Sequence, residues 1–79
     1  MYTIVNARHA FPERAGLCID RPNGRSDYTF IHFWSAVEIR QGEALCRTAP
    51  HACILYRRGT PRYYRCSTLL IHDWLHFTG

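Results

Sequence analysis

The sequence predicts an all-β domain, either a sandwich or a barrel, from three observations. Short runs of β-branched and aromatic residues recur at intervals of roughly 8–12 residues. Clusters that contain Gly or Pro separate these runs, and helix signals are nearly absent. Because a chain of 79 residues buries only about 60–65% of its unfolded surface, residues 1–79 are expected to form a single small domain.

Seven or eight strands are expected along the chain. The runs lie at residues 2–5, 17–19, 28–34, 37–40, 43–46, 53–56, 63–66 and 69–77. Between two of them, Gln41-Gly42 is predicted to close a tight hairpin, since glycine readily adopts the positive φ that such turns favour.

The last run alternates in a way that assigns its side chains to two faces, because successive residues of a strand point in opposite directions. The two faces carry His72, Trp74 and His76 on one side, and Ile71, Asp73, Leu75 and Phe77 on the other. In a sandwich or barrel that closes over a cavity, the His and Trp face would line that cavity. In an ordinary half-buried strand the same imidazoles would lie in water, and the pattern does not choose between these readings.

The charge balance excludes several functional classes. Ten arginines oppose six acidic residues, for a net charge of +4, and no lysine is present. The arginines are scattered and form no basic cluster, so direct DNA binding by this chain is not expected. No apolar run approaches the ~20 residues that span a bilayer, and the N-terminus lacks the pattern of a secretion signal. Neither a membrane partner nor secretion is expected.

The cysteines predict a cytoplasmic protein. Cys18, Cys46, Cys53 and Cys66 show no C-x-x-C pair and no spacing typical of a zinc site. Each lies within or beside an apolar run, where a thiol behaves as a small hydrophobic group. We therefore expect reduced, buried and mutually distant thiols, as in cytoplasmic proteins.

No residue pattern predicts catalysis or a metal site. His72 and His76 would lie about 13 Å apart on a strand, at ~3.3 Å per residue, which is too far to share an ion. His32 and His72 could converge only through the fold, with no third ligand at a recognisable spacing. Nucleophile, phosphate-loop and dinucleotide motifs are absent. The sequence therefore predicts no enzyme activity, no catalytic residue, no metal and no cofactor.

Two features suit the binding of a small polar molecule. Arg21 stands immediately before a rigid turn, Pro22-Asn23-Gly24, and its guanidinium could reach ligand hydroxyls or a carboxylate. Trp74 shares a strand face with His72 and offers a flat apolar ring next to a polar group. A solvated turn arginine and a core tryptophan are the plainer alternatives, and base rates favour them.

Five motifs follow one another along the chain in an order that is specific in combination. They are Asp20-Arg21-Pro22-x-Gly24, Tyr28-x-Phe30, Ala49-Pro50-x-Ala52-Cys53-Ile54-Leu55-Tyr56, Gly59-Thr60-Pro61-x-x-Tyr64 and His72-Asp73-Trp74-x-His76-Phe77. In this order they resemble the N-terminal effector-binding domain of AraC-type bacterial transcription regulators. The resemblance implies a cupin-like jelly roll, or double-stranded β-helix. It also implies that an effector such as a sugar lies inside the barrel, held by Arg21, Tyr64, His72 and Trp74.

The resemblance implies a sensor and not an enzyme. Residues 1–15 would form an N-terminal arm and residues 16–79 the barrel core, truncated before the helices through which family members dimerise. The expected partner is a small-molecule effector, and DNA would be bound only by a C-terminal helix-turn-helix domain absent from this chain. A homodimer through an exposed sheet edge is left open.

Two other readings of the chain stay open. The first is a stand-alone small cupin that binds or isomerises a sugar, and the second is a truncated reading frame without function. Arg62 and Tyr63 occupy positions where a metal-binding cupin could carry histidine, which argues against metal catalysis.

Overall fold

All regular structure in the computed structural model, which describes residues 1–79, is β. The eight strands in chain order are β1 (Thr3–Glu13), β2 (Leu17–Arg21), β3 (Tyr28–Phe33), β4 (Glu38–Gln41), β5 (Ala44–Arg47), β6 (Cys53–Tyr56), β7 (Arg62–Cys66) and β8 (Leu70–Thr78). The all-β prediction is confirmed. The structure contains no helix of the length and apolar character needed to cross a membrane.

The strands form two four-stranded antiparallel sheets that face each other. One has the order β1-β8-β3-β6 and the other the order β2-β7-β4-β5. The chain changes sheet at every connection except the β4–β5 hairpin. This winding is that of an eight-stranded jelly roll, also called a double-stranded β-helix, as the sequence predicts.

The core lies between the sheets because alternate residues of each strand point inward. Phe33 of β3 and Leu70 of β8 are fully buried, and the Phe33 ring meets the edge of Tyr64 from β7 at a centroid distance of 5.0 Å. The apolar cluster comprises Ile31, Phe33, Val37, Ile39, Tyr56, Tyr64, Cys66 and Leu70. Inward residues from both sheets thus fix how the two layers pack.

The hairpin predicted at Gln41-Gly42 joins β4 to β5. Gln41 pairs with Ala44, so the two-residue loop is Gly42-Glu43, one position later than predicted. Gly42 has a φ of +61°, and Glu43 has a negative φ. A positive φ at the first loop position alone is typical of a type II′ turn, where glycine is favoured.

The N-terminal segment is a strand of the sheet. The run predicted at residues 2–5 extends to Glu13 and pairs with β8 along its length. The sequence predicts a boundary at residue 15 between an arm and a barrel core. In the structure β1, which lies before that boundary, pairs with β8 and belongs to the same sheet as β3 and β6. Most side chains of β1 are exposed, because it is an edge strand with one neighbour.

A β-bulge at His9 and Ala10 interrupts the pairing of β1 with β8. Arg8 lies opposite Trp74, but the next inward residue is Phe11, opposite His72. Ala10 has a φ of +50°, a conformation that is costly for residues with a Cβ. The bulge changes the alternation and so turns Phe11 toward the interior.

Asp73 holds this bulge from the outer face of β8. Its Oδ1 atom accepts a hydrogen bond from the Ala10 amide at 2.6 Å, and Oδ2 accepts one from Trp34 Nε1 at 2.9 Å. His32 Nδ1 lies 2.7 Å from Oδ2. The hydrogen bond with His32 and that from Ala10 hold the pKa of Asp73 well below its usual range, so the carboxylate stays charged.

The four thiols are free, but two of them are not buried. Cys66 is buried and Cys46 partly buried, whereas Cys18 and Cys53 are exposed. The prediction of buried thiols is wrong for Cys18 and Cys53, because each alternates with inward-pointing apolar residues and so lies on an outer face.

Asp73→Ala should loosen β1, because it removes the acceptor that holds the Ala10 amide. We expect a lower urea midpoint and faster amide hydrogen exchange in residues 3–13, measured by NMR. Glu38→Ala is the matched control. Its carboxylate also bonds a neighbouring strand, in an ion pair with Arg65 at 2.8 Å, but it lies on the other sheet. Equal protection of β1 amides in both variants would show that Asp73 does not anchor the strand.

Candidate functional site

A partly open cavity of about 170 Å³ lies between the sheets beside the apolar core. Its lining comprises Glu13, Ile19, Arg21, Arg25, Thr29, Ile31, Arg62, Tyr64, His72, Trp74 and His76. All four residues singled out from the sequence are in this set, so the structure brings them to one place. Their role in binding a ligand stays a prediction.

Strand alternation places three of the lining residues. His72, Trp74 and His76 alternate along β8, which has a neighbour on each side, and they point inward together. The sequence left two orientations of β8 open, and in the structure the face with the histidines and the tryptophan points into the cavity. From the opposite sheet, Tyr64 of β7 lies in register with Ile19 of β2, and both reach the same cavity.

The turn after β2 sets the position of Arg21. The Arg21 carbonyl accepts a hydrogen bond from the Gly24 amide at 3.0 Å, with Pro22 and Asn23 as the two central residues. Gly24 has a φ of +65°, and a Cβ there would overlap the backbone of Thr60. Only glycine can adopt this φ and leave room for the Thr60 backbone. Gly24 therefore fixes the conformation of the turn that follows Arg21.

Arg62 connects the two sheets at the floor of the cavity and is 3% exposed. Its Nη1 atom donates to the Thr29 hydroxyl, and Nη2 donates to the Asp27 carbonyl at 2.7 Å. Thr29 Oγ1 also lies 2.6 Å from His76 Nδ1. Since a guanidinium can only donate, the Thr29 hydroxyl accepts from Arg62, and the tautomer of His76 sets which of the two donates in the Thr29–His76 contact.

The charges behind Arg62 are arranged around buried Asp27. Arg25 donates to both of its carboxylate oxygens, from Nε at 2.9 Å and from Nη2 at 3.0 Å. This pairing lowers the pKa of Asp27. Arg62 Nη1 lies 3.8 Å from the same carboxylate. Burial lowers the pKa of Arg62, and Asp27 opposes that effect.

His72 is buried in the cavity wall with both ring nitrogens lacking a protein hydrogen-bond partner. The nearest carboxylate oxygen, Oε1 of Glu13, lies 3.4 Å from Nε2, a long and poorly aligned contact that still favours the charged imidazole. Burial lowers the pKa of His72, although Glu13 acts in the opposite direction. Arg62 Nε is a second buried donor without a protein acceptor.

Aromatic rings form the rest of the wall. The Trp74 ring lies 4.7 Å from His72 between centroids, and Phe11 packs edge-on against it at 5.0 Å. Burial raises the pKa of Tyr64 to about 12, so its phenol remains a hydrogen-bond donor at neutral pH. The cavity therefore combines apolar ring surface with directed polar groups, a combination common in small-molecule sites.

Several residues of this cavity were not predicted from the sequence, including Arg25, Arg62 and Thr29. Alternation along β7 puts Arg62 on the same face as Tyr64, and that signal could have found it. Arg25 and its partner Asp27 precede β3 in a loop, where no periodicity applies. Their position follows only from the fold.

The pair His32 and His72 does not form in the structure. His32 lies on the outer face of β3 with Asp73, and its Nε2 atom is 3.1 Å from His51 Nδ1. His72 points into the cavity on the other face of the sheet. The structure contains no group of three or more His, Cys, Asp or Glu residues arranged to hold a metal ion.

A wider groove of about 700 Å³ lies on another side of Arg62, along β6 and the β4–β5 hairpin. None of Arg21, Tyr64, His72 and Trp74 lines it. The smaller cavity is therefore the candidate site.

Comparison with known proteins identifies the fold alone. The chain is similar to a de novo designed double-stranded β-helix solved by solution NMR, with a TM-score of 0.51 and 13% sequence identity over 99% of both chains. No family model matches the chain. No curated protein matches it either.

Stability should fall on acidification because burial lowers the pKa values of His72 and His76. The unfolded chain, with imidazoles near pKa 6.5, binds protons before the folded chain does, so the free energy of unfolding decreases as pH drops through that range. Urea titrations between pH 7.5 and 5.5 should show this decrease, and His72→Gln should reduce it. His51→Gln, outside the cavity, controls for the loss of an imidazole, and an unchanged pH dependence in His72→Gln would contradict the account.

Proposed function

We propose that this chain is a small-molecule-binding domain whose ligand lies between the two sheets, and that it acts as the cytoplasmic sensory part of an AraC-type regulator. The observation that carries the proposal is the cavity wall formed by Arg21, Tyr64, His72 and Trp74, in which His72 is buried with neither ring nitrogen bonded to protein. Both nitrogens are enclosed by the wall, so a polar ligand supplies the missing partners only where it displaces a neighbouring side chain.

The energetics of burial support a ligand here. A buried polar group without a hydrogen bond costs about 1–3 kcal/mol, and the chain carries this cost at His72 and at Arg62 Nε. Replacing His72 with an apolar residue would avoid the cost. A group that is costly in the free protein and lines a cavity has the character of a binding residue.

The regulatory role is supported by the order of the five motifs and by the jelly-roll winding in which they lie. In this role the effector binds one state of the parent protein better than another, with a coupling of about 1–3 kcal/mol. DNA contact belongs to a domain outside this chain, and a monosaccharide is the effector class that the resemblance suggests. The domain itself makes no bond and breaks none.

A second function is favoured by one specific feature, the approach of Glu13 to His72. A carboxylate 3.4 Å from an imidazole inside a cavity could exchange protons with a bound sugar, as an isomerase requires. A stand-alone cupin that isomerises a sugar is therefore the alternative. Proton NMR of sugars incubated with the protein separates the two, because only an isomerase converts them to new species.

A thermal-shift and calorimetry panel of pentoses, hexoses and their acids tests the proposed function. At about 100 times its Kd, a ligand should stabilise the protein by roughly 2.7 kcal/mol. Arg21→Ala and Trp74→Ala should each weaken binding by about 1–3 kcal/mol, through lost hydrogen bonds and lost ring contact. Phe30→Ala, on the outer face of β3 and outside the cavity lining, is the matched control for the loss of an aromatic ring. Unchanged affinity in both cavity variants, with the fold intact, would place the site elsewhere.

A further inference from the structure

Arg21, which is exposed, and Arg62, which is buried, form a cross-strand pair of like charge. They lie directly opposite each other in the register of β2 and β7, and both side chains line the cavity. Like charges in this arrangement destabilise a sheet. The arginine ion pairs of the chain join Arg25, Arg62 and Arg65 to carboxylates and leave Arg21 without one.

The charges around the cavity leave one positive charge uncompensated. Three guanidinium groups, those of Arg21, Arg25 and Arg62, oppose two carboxylates, those of Asp27 and Glu13. Asp27 is already bound through both oxygens to Arg25, and Glu13 faces His72. A ligand with one negative charge balances this set, whereas a neutral ligand leaves the Arg21–Arg62 repulsion in place.

We propose, on the basis of the proposed function, that the ligand is a hydroxy acid whose single carboxylate is bound by the Arg21 guanidinium, within the positive field of Arg62. Arginine guanidiniums bind carboxylates through paired N–H donors, and Arg21 forms no ion pair within the chain. The donors of Arg62 are bonded to Thr29, Asp27 and Arg57 or enclosed by the wall, so Arg62 contributes its charge. The Tyr64 phenol, which lines the cavity, meets the ligand's hydroxyls. Trp74 supplies the apolar surface beside them.

The positive charges of the arginines also act on His76, which lines the same cavity. Burial and then Arg25 lower the pKa of His76, Asp27 raises it, and Arg62 and Arg21 lower it further. The same field attracts a carboxylate placed in the cavity. The cavity has a volume of about 170 Å³ and is partly open, so a sugar acid larger than the cavity can enter with its carboxylate first.

Two matched pairs of probes test the proposal by calorimetry: D-galacturonate against D-galactose, and D-glycerate against glycerol. Within each pair the acid should bind at least about tenfold more tightly, since only it forms charged hydrogen bonds with Arg21. In ¹H–¹⁵N spectra the acid should shift the Arg21 Nε–H and Trp74 indole signals. Tighter binding of galactose 6-phosphate, a dianion, than of galacturonate would contradict the charge balance.

Substitution of Arg21 tests whether the ligand is bound by this side chain or only attracted by the net positive charge of the chain. Arg21→Gln should weaken galacturonate binding about tenfold, whereas Arg47→Gln, the same loss of charge on the exposed β5 strand, should leave it unchanged. Equal effects of the two variants, or neutral probes that bind as tightly as their acids, or no binding of either acid, would overturn the proposal. Cavity binding of a neutral sugar alone would retain the proposed function and overturn only the assignment of a hydroxy acid.

Discussion

The buried guanidinium of Arg62 determines much of the interior. It extends from β7 in one sheet to Thr29 on β3 in the other and to the Asp27 carbonyl just before that strand. Burying an ion costs several kcal/mol unless hydrogen bonds and opposite charge compensate it, and an arginine cannot lose its proton. Asp27 and Thr29, which are both buried, supply the opposite charge and the hydrogen-bond acceptors. The interior is consequently divided into an apolar half around Phe33 and Leu70 and a polar half around Arg62, and the cavity lies against the polar half.

The strand pattern was predictable because it depends on local alternation. In β8, alternation brings His72 and Trp74 to one face, and the jelly-roll winding makes that face the inner one. Arg21 precedes a rigid turn and is exposed, as base rates favour, and only the fold shows that it also lines the cavity. The partners of Arg62 were not predictable, because its hydrogen bonds to Thr29 and Asp27 span 33 and 35 residues and no sequence period relates them.

The length of β1 was not predictable for a different reason. An edge strand with mostly exposed side chains has no need of apolar alternation, and the residues after Val5 mix charge and polarity. Its register depends on Asp73, which holds the Ala10 amide from the next strand. That contact re-aims Phe11 and Glu13, so an outer-face carboxylate shapes the inner wall of the cavity. The exposure of Cys18 and Cys53 has the same origin, since apolar neighbours in sequence do not place a residue on the apolar face.

The central claim is that His72 is retained for a ligand and not for stability. The free energy of unfolding of His72→Leu, measured by urea denaturation at pH 7.5 without added ligand, tests it most directly. Leucine is similar in volume and needs no hydrogen bonds, so the variant should be at least as stable as the natural chain, because an unsatisfied buried group costing about 1–3 kcal/mol has been removed. A loss of stability of more than about 1 kcal/mol, beyond what volume-conserving swaps commonly cost, would mean that His72 stabilises the fold, and the account of the cavity as a ligand site would lose its main support.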